Sequence, residues 1–171
     1  MFGRWLKGSA PAAPPPGAEQ VSALVREHLP EADAETVRVV AAIAGLLGSV
    51  AYADREYSEA EERETRRALS RIQGMTEAGL DAICDALRRH VVEASTVQLP
   101  RYARDLLELG DRELRLEVLD TLLDLAAADG ELTLDETTLL RTVTRAIGLA
   151  PDDYVAAQSR HKHRLSVLKS Q

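Results

Sequence analysis

The sequence predicts an all-α fold, a compact bundle of about seven to eight helices, and three observations predict it. Apolar residues recur at spacings of three and four, as in Val37, Val40, Ile43, Ala44 and Leu47, and again in Leu114, Val118, Leu122 and Leu125; this is the period of a helix with one buried face. No segment alternates apolar and polar residues with the period of a strand. Pro30, Pro100, Gly110 and Pro151 fall between the periodic segments, where helices are expected to stop or start. At 171 residues the chain suits one domain with a self-sufficient core.

In chain order, residues 1–17 come first and read as a disordered tail. The tail holds the only Phe and the only Trp and then breaks into a Pro/Ala-rich run that packs as neither helix nor strand. It lacks the apolar core of a secretory signal. Met1, Phe2, Trp5 and Leu6 beside Arg4 and Lys7 suit a membrane surface or a groove on a partner. The remainder, 18–171, is expected to form one helical domain with helices at 18–29, 33–53, 58–73, 76–94, 99–109, 111–128, 133–148 and 151–167.

Within the second of these, Val39 to Ala53 is an uncharged run of fifteen residues. It is shorter than the roughly 20 residues of a membrane span. Its small residues Ala41, Gly45 and Ser49 repeat every fourth position, which suits a central helix approached closely by its neighbours. In the fourth helix the single cysteine, Cys84, continues an apolar stripe with Leu80, Ile83, Leu87 and Val91, so it reads as an inert core thiol. One cysteine also excludes an internal disulfide.

The net charge of -7 conceals a polarised distribution. Residues 1–17 carry two basic groups and residues 160–171 carry four, with no acids in either stretch, so the body between them holds -13. Such a body repels nucleic-acid phosphates and invites cations or basic partners.

An internal echo marks the candidate site. Asp54-Arg55-Glu56-Tyr57-Ser58-Glu59-Ala60-Glu61 lines up with Asp129-Gly130-Glu131-Leu132-Thr133-Leu134-Asp135-Glu136 at an offset of 75. Each copy joins a long Ala-rich helix to a shorter charged one, making two similar helical hairpins within 33–73 and 111–148. Capping explains much of this. Ser58 and Thr133 are expected N-caps, Glu61 and Glu136 complete capping boxes, and Gly130 suits a left-handed turn after the preceding helix. Capping leaves Asp54 and Asp129 over, because a carboxylate at a helix C-terminus faces the negative end of the dipole. An Asx-type turn or a bound cation would answer for them.

The second loop is not an EF-hand, since template positions 1 and 3 fall on Leu125 and Ala127, which have no side-chain oxygen. A shared site drawing on Asp129, Glu131, Glu136 and Asp124 with Asp54, Glu56 and Glu61 would require the two loops to meet. Asp120, one turn before Asp124, is a further oxygen donor. An oxygen-only set of this kind favours a divalent Ca, Mg or Mn over Zn.

Two copies of helix, Ala-Asp-Gly-Glu-apolar-Ser/Thr-x-x-Glu, helix resemble the TerB-like domains of tellurite resistance proteins, also found at the N-terminus of DjlA-type membrane co-chaperones. The likeness spans about residues 33–157, and ADGELTLDE is the better copy. The resemblance implies a bundle of about seven helices, cytoplasmic and bacterial, with an acidic face suggested to bind metal ions in stress-response systems near the membrane. The first copy departs from the pattern, with Arg55 in place of Gly and Tyr57 in place of an aliphatic residue. No His-Pro-Asp triplet of a J domain is present.

No phosphate loop, zinc-type Cys/His spacing or nucleophile constellation occurs, so an enzyme is not expected. His161-Lys162-His163 reads as a solvated basic helix end. Two functions remain. In one the chain is a non-enzymatic TerB-like module of a tellurite-resistance-type stress system, cytoplasmic or peripheral to the inner membrane, with a divalent cation on its acidic face and protein partners in a membrane-associated complex. In the other it is a purely structural interaction domain whose acidic surface meets basic partners and whose N-terminal tail docks. Neither needs nucleic acid or a transmembrane segment.

Overall fold

A computed structural model describes residues 16–53, 57–130 and 132–168. The tail up to residue 15, the first-loop residues Asp54, Arg55 and Glu56, and Glu131 of the second loop lie outside the described residues. Eight helices and no strand occur among the described residues: α1 (Pro16–His28), α2 (Ala34–Ala51), α3 (Glu59–Ser70), α4 (Glu77–Val97), α5 (Leu99–Leu109), α6 (Arg112–Ala126), α7 (Leu134–Ala146) and α8 (Pro151–Leu168). Every expected helix is present, with ends that differ by a few residues. The largest differences are at α3, which stops at Ser70, three residues short of the expected end, and at α4, which runs three residues on to Val97; α1 starts two positions early with Pro16 at its first turn.

The caps explain the boundaries. Asp33 and Asp111 each accept a hydrogen bond from the amide three residues on, Thr36 N at 2.7 Å and Leu114 N at 2.8 Å, and so start α2 and α6. Gly148 ends α7 at a φ of 72°, a left-handed conformation that favours glycine. Beside it Arg115 of α6 donates to the Ile147 carbonyl at 2.8 Å, which satisfies one of the orphan acceptors at that helix end.

The centre of the bundle is α2, which packs against α1, α3, α4, α5, α6 and α7. Its small residues permit this. A Cβ placed on Gly45 would stand 2.2 Å from the Tyr102 ring of α5, and one on Gly48 would stand 2.8 Å from Leu87 of α4. By length and composition α2 is apolar enough to cross a membrane, but 67% of it is buried inside the bundle. Its apolarity is that of a core helix. Around it Leu46, Leu47, Leu69, Ile83, Leu87, Leu106, Leu119, Leu122, Leu123, Leu140 and Ile147 form one continuous core. Cys84 is part of that core, and burial pushes its thiol up to about 11, as expected for an unreactive sulfur.

Candidate functional site

The two echoed loops keep their register in three dimensions. The ends of α2 and α6 (Ala51 and Ala126), like the starts of α3 and α7 (Glu59 and Leu134), stand 75 positions apart. In the first loop Glu61 N donates to Ser58 Oγ at 3.1 Å and Ser58 N donates back to Glu61 Oε2 at 2.8 Å. In the second, Glu136 N donates to Thr133 Oγ1 at 3.2 Å, while Thr133 N and its hydroxyl donate to Glu136 Oε2 at 2.7 and 2.8 Å. Both are complete capping boxes. Gly130 follows α6 with a φ of 99°, and a Cβ there would meet nothing within 4 Å, so the backbone conformation alone calls for glycine.

The capping carboxylates are deeply buried. Glu61 is 5% exposed and Glu136 3%. A buried carboxylate needs donors, and the N-cap amides and hydroxyl supply them at the positive end of a helix. These two residues of the proposed oxygen set therefore turn inward, each with one oxygen already in the cap. Asp129 lies exposed in the second turn and has an interaction of its own. Asp54, Glu56 and Glu131 lie outside the described residues. No group of three or more His, Cys, Asp or Glu side chains is arranged to hold a metal ion among the described residues.

Asp124 and Asp120 meet side chains of α8. Arg160 donates to both oxygens of Asp120, at 2.8 and 3.1 Å. His161 lies with Nδ1 3.1 Å from Asp124 and Nε2 3.7 Å from Asp120. This corrects the reading of His161 as solvated. It is 4% exposed, facing α6, and its Nε2 has no hydrogen-bond partner among the described residues. The sequence does contain a signal for this: Tyr154, Ala157 and His161 follow at spacings of three and four on the buried face of α8. The His163 side chain lies outside the described residues.

What surrounds the caps is an acidic rim. Glu59 and Glu62 open α3, and Asp135 opens α7, each favoured at a helix N-terminus. Arg63 lies 3.7 Å from Glu59, and Arg88 of α4 pairs with Glu62, so the first loop is partly neutralised. The Tyr57 phenol in this loop is shielded enough that burial pushes it up to about 12.

Compared with known proteins, the chain matches a family model described as "Tellurite resistance protein TerB" over residues 40–159, which takes in the second hairpin and all of the first but the start of α2. No curated protein and no solved structure matches it.

Proposed function

The chain belongs to the TerB family, and from that premise we propose that it acts as a non-enzymatic docking module of a tellurite-resistance-type stress system, with its acidic rim as the contact for basic protein partners. The observation that carries this reading is the inward turn of Glu61 and Glu136. Their carboxylates close the caps of α3 and α7 from inside, Glu59 and Asp135 are left exposed, and half-buried Glu62 pairs with Arg88. Capped helix starts that present carboxylates on a body of net charge -13 suit a guanidinium- or ammonium-rich surface. The N-terminal Phe2 and Trp5 with Arg4 and Lys7 add a second contact that holds the module, in the cytoplasm, at a membrane-associated complex.

A divalent cation at the second loop is the other reading, supported by the oxygen-only acids that the sequence gathers there, Asp129, Glu131 and Glu136. One experiment separates them. Amide NMR spectra are recorded while the protein is titrated with an Arg-rich peptide and, separately, with Ca, Mg or Mn. Docking predicts salt-sensitive shifts at 59–62 and 132–136 with the peptide. A cation site predicts millimolar-range shifts at Asp129 to Glu136 that Glu136→Gln removes while the fold persists, since Gln still completes a capping box. Silence in both titrations overturns both readings.

A further inference from the structure

We infer that the outer face of α7 pairs with the same face of a second copy of this chain, antiparallel, as a closed twofold dimer. Leu134, Thr138, Arg141 and Arg145 follow one another at spacings of four, three and four, which puts them on one stripe of the helix, and all four are exposed. The stripe is polarised. Its N-terminal end carries Leu134, 81% exposed and the most exposed large apolar residue of the described structure, next to Asp135. Its C-terminal end carries Arg141 and Arg145, neither of which has a carboxylate partner among the described residues.

Beside those two arginines lies a cavity of about 160 Å³, lined by Arg141, Thr144 and Arg145 of α7 and by Pro151, Tyr154 and Val155 of α8. It is smaller than the roughly 300–1,000 Å³ of a small-molecule site, so it fits a side chain rather than a cofactor. The Arg141 guanidinium stands 5.5 Å from the centre of the Tyr154 ring, which holds it at the mouth. An apolar floor with a cationic rim calls for an aliphatic side chain with a carboxylate beside it. Leu134 with Asp135 is that combination.

Within one molecule the knob cannot reach the pocket, because residues seven to eleven apart are about 10–17 Å apart along a helix. Between two molecules it can. Turning a second α7 antiparallel about an axis beside Thr138 sets each Leu134 against the partner's 141–145 segment and each Asp135 near the partner's arginines. The same contact is then made twice and closes, as an isologous interface requires. The opposed helix directions also bring unlike ends of the two dipoles together. The patch is narrow and the two acidic bodies repel, so the dimer is weak, of the transient class.

Sedimentation velocity across about 10 µM to about 1 mM protein tests it, a range suited to a weak complex. The wild-type chain is expected to pass from monomer to dimer without larger species. Leu134→Asp and Asp135→Arg should each weaken the dimer at least tenfold, with thermal midpoints near that of the wild type because both side chains are exposed. The double variant Arg141→Asp, Arg145→Asp should also be monomeric. Mixed one to one with Asp135→Arg it should form a heterodimer, since Arg then faces Asp at both ends. A wild-type chain that stays monomeric overturns the proposal, as does a dimer indifferent to these changes or a mixture that fails to associate.

Discussion

The two hairpins share a cap and differ in what holds the second helix down. In the first, α3 buries a single large apolar side chain, Leu69, and leans on α4 through ion pairs: Arg66 reaches Glu77 and Asp81 at 2.7 Å each, and Arg88 pairs with Glu62. In the second, α7 buries Leu140 and Val143, with Ile147 just beyond, and its threonines satisfy themselves locally, Thr137, Thr138, Thr142 and Thr144 each donating to the carbonyl four residues back. A repeated loop therefore does not imply a repeated energy source. Exposed ion pairs contribute little and are screened by salt, whereas apolar burial is neither small nor salt-screened.

The largest expected effect tests that division at the core. Leu69→Ala and Leu140→Ala should each cost about 2–5 kcal/mol in denaturant unfolding, the range for a buried leucine. Their consequences should differ by hydrogen exchange. With Leu69 gone, α3 amides should exchange well ahead of the rest, because no second apolar anchor remains; with Leu140 gone, α7 should stay coupled to the core through Val143. Equal local release of the two helices would erase the distinction.

Alkaline pH should come next. Tyr57 occupies in the first loop the place that Leu132 holds in the second, and the folded state holds its phenol up at about 12. A raised acid favours the folded state in full below the ordinary phenol value and loses that contribution as the pH climbs towards about 12. The buried Cys84 thiol, at about 11, acts in the same direction. Thermal midpoints should fall as pH rises above about 9, and Tyr57→Phe should flatten part of the slope. A slope untouched by that substitution would separate Tyr57 from the effect.

Removing the cap hydroxyls should cost less and cost both hairpins alike. Ser58→Ala and Thr133→Ala are each expected to lose about 1 kcal/mol in equilibrium unfolding. A marked inequality would mean that the matching geometries conceal different loads. The smallest effect should be that of salt. In about 1 M NaCl the α3 amides should lose protection by a few tenths of a kcal/mol while those of α7 do not, since only α3 leans on exposed charges.

Much of this molecule was legible because the controlling interactions are local. The capping boxes at Ser58 and Thr133 link residues three apart, and the central place of α2 is signalled by Ala41, Gly45 and Ser49 at every fourth position, so both follow from short windows of sequence. The candidate site was legible only in outline. Its acids could be found, but not which way they face.

The sequence by itself determined the helices, the N-caps of α3 and α7 and the core side of most helices, because hydrogen bonds and periodicity act over three or four residues. Tertiary structure alone decided that Glu61 and Glu136 are buried within their caps, that Asp120 and Asp124 answer to Arg160 and His161 on α8, and that a stripe of α7 with a small pocket at its end is left facing outward. Those outcomes depend on which helix faces meet, across separations of about 40 residues in the case of α6 and α8. A residue's own neighbours in sequence carry no record of the surface that will come to cover it.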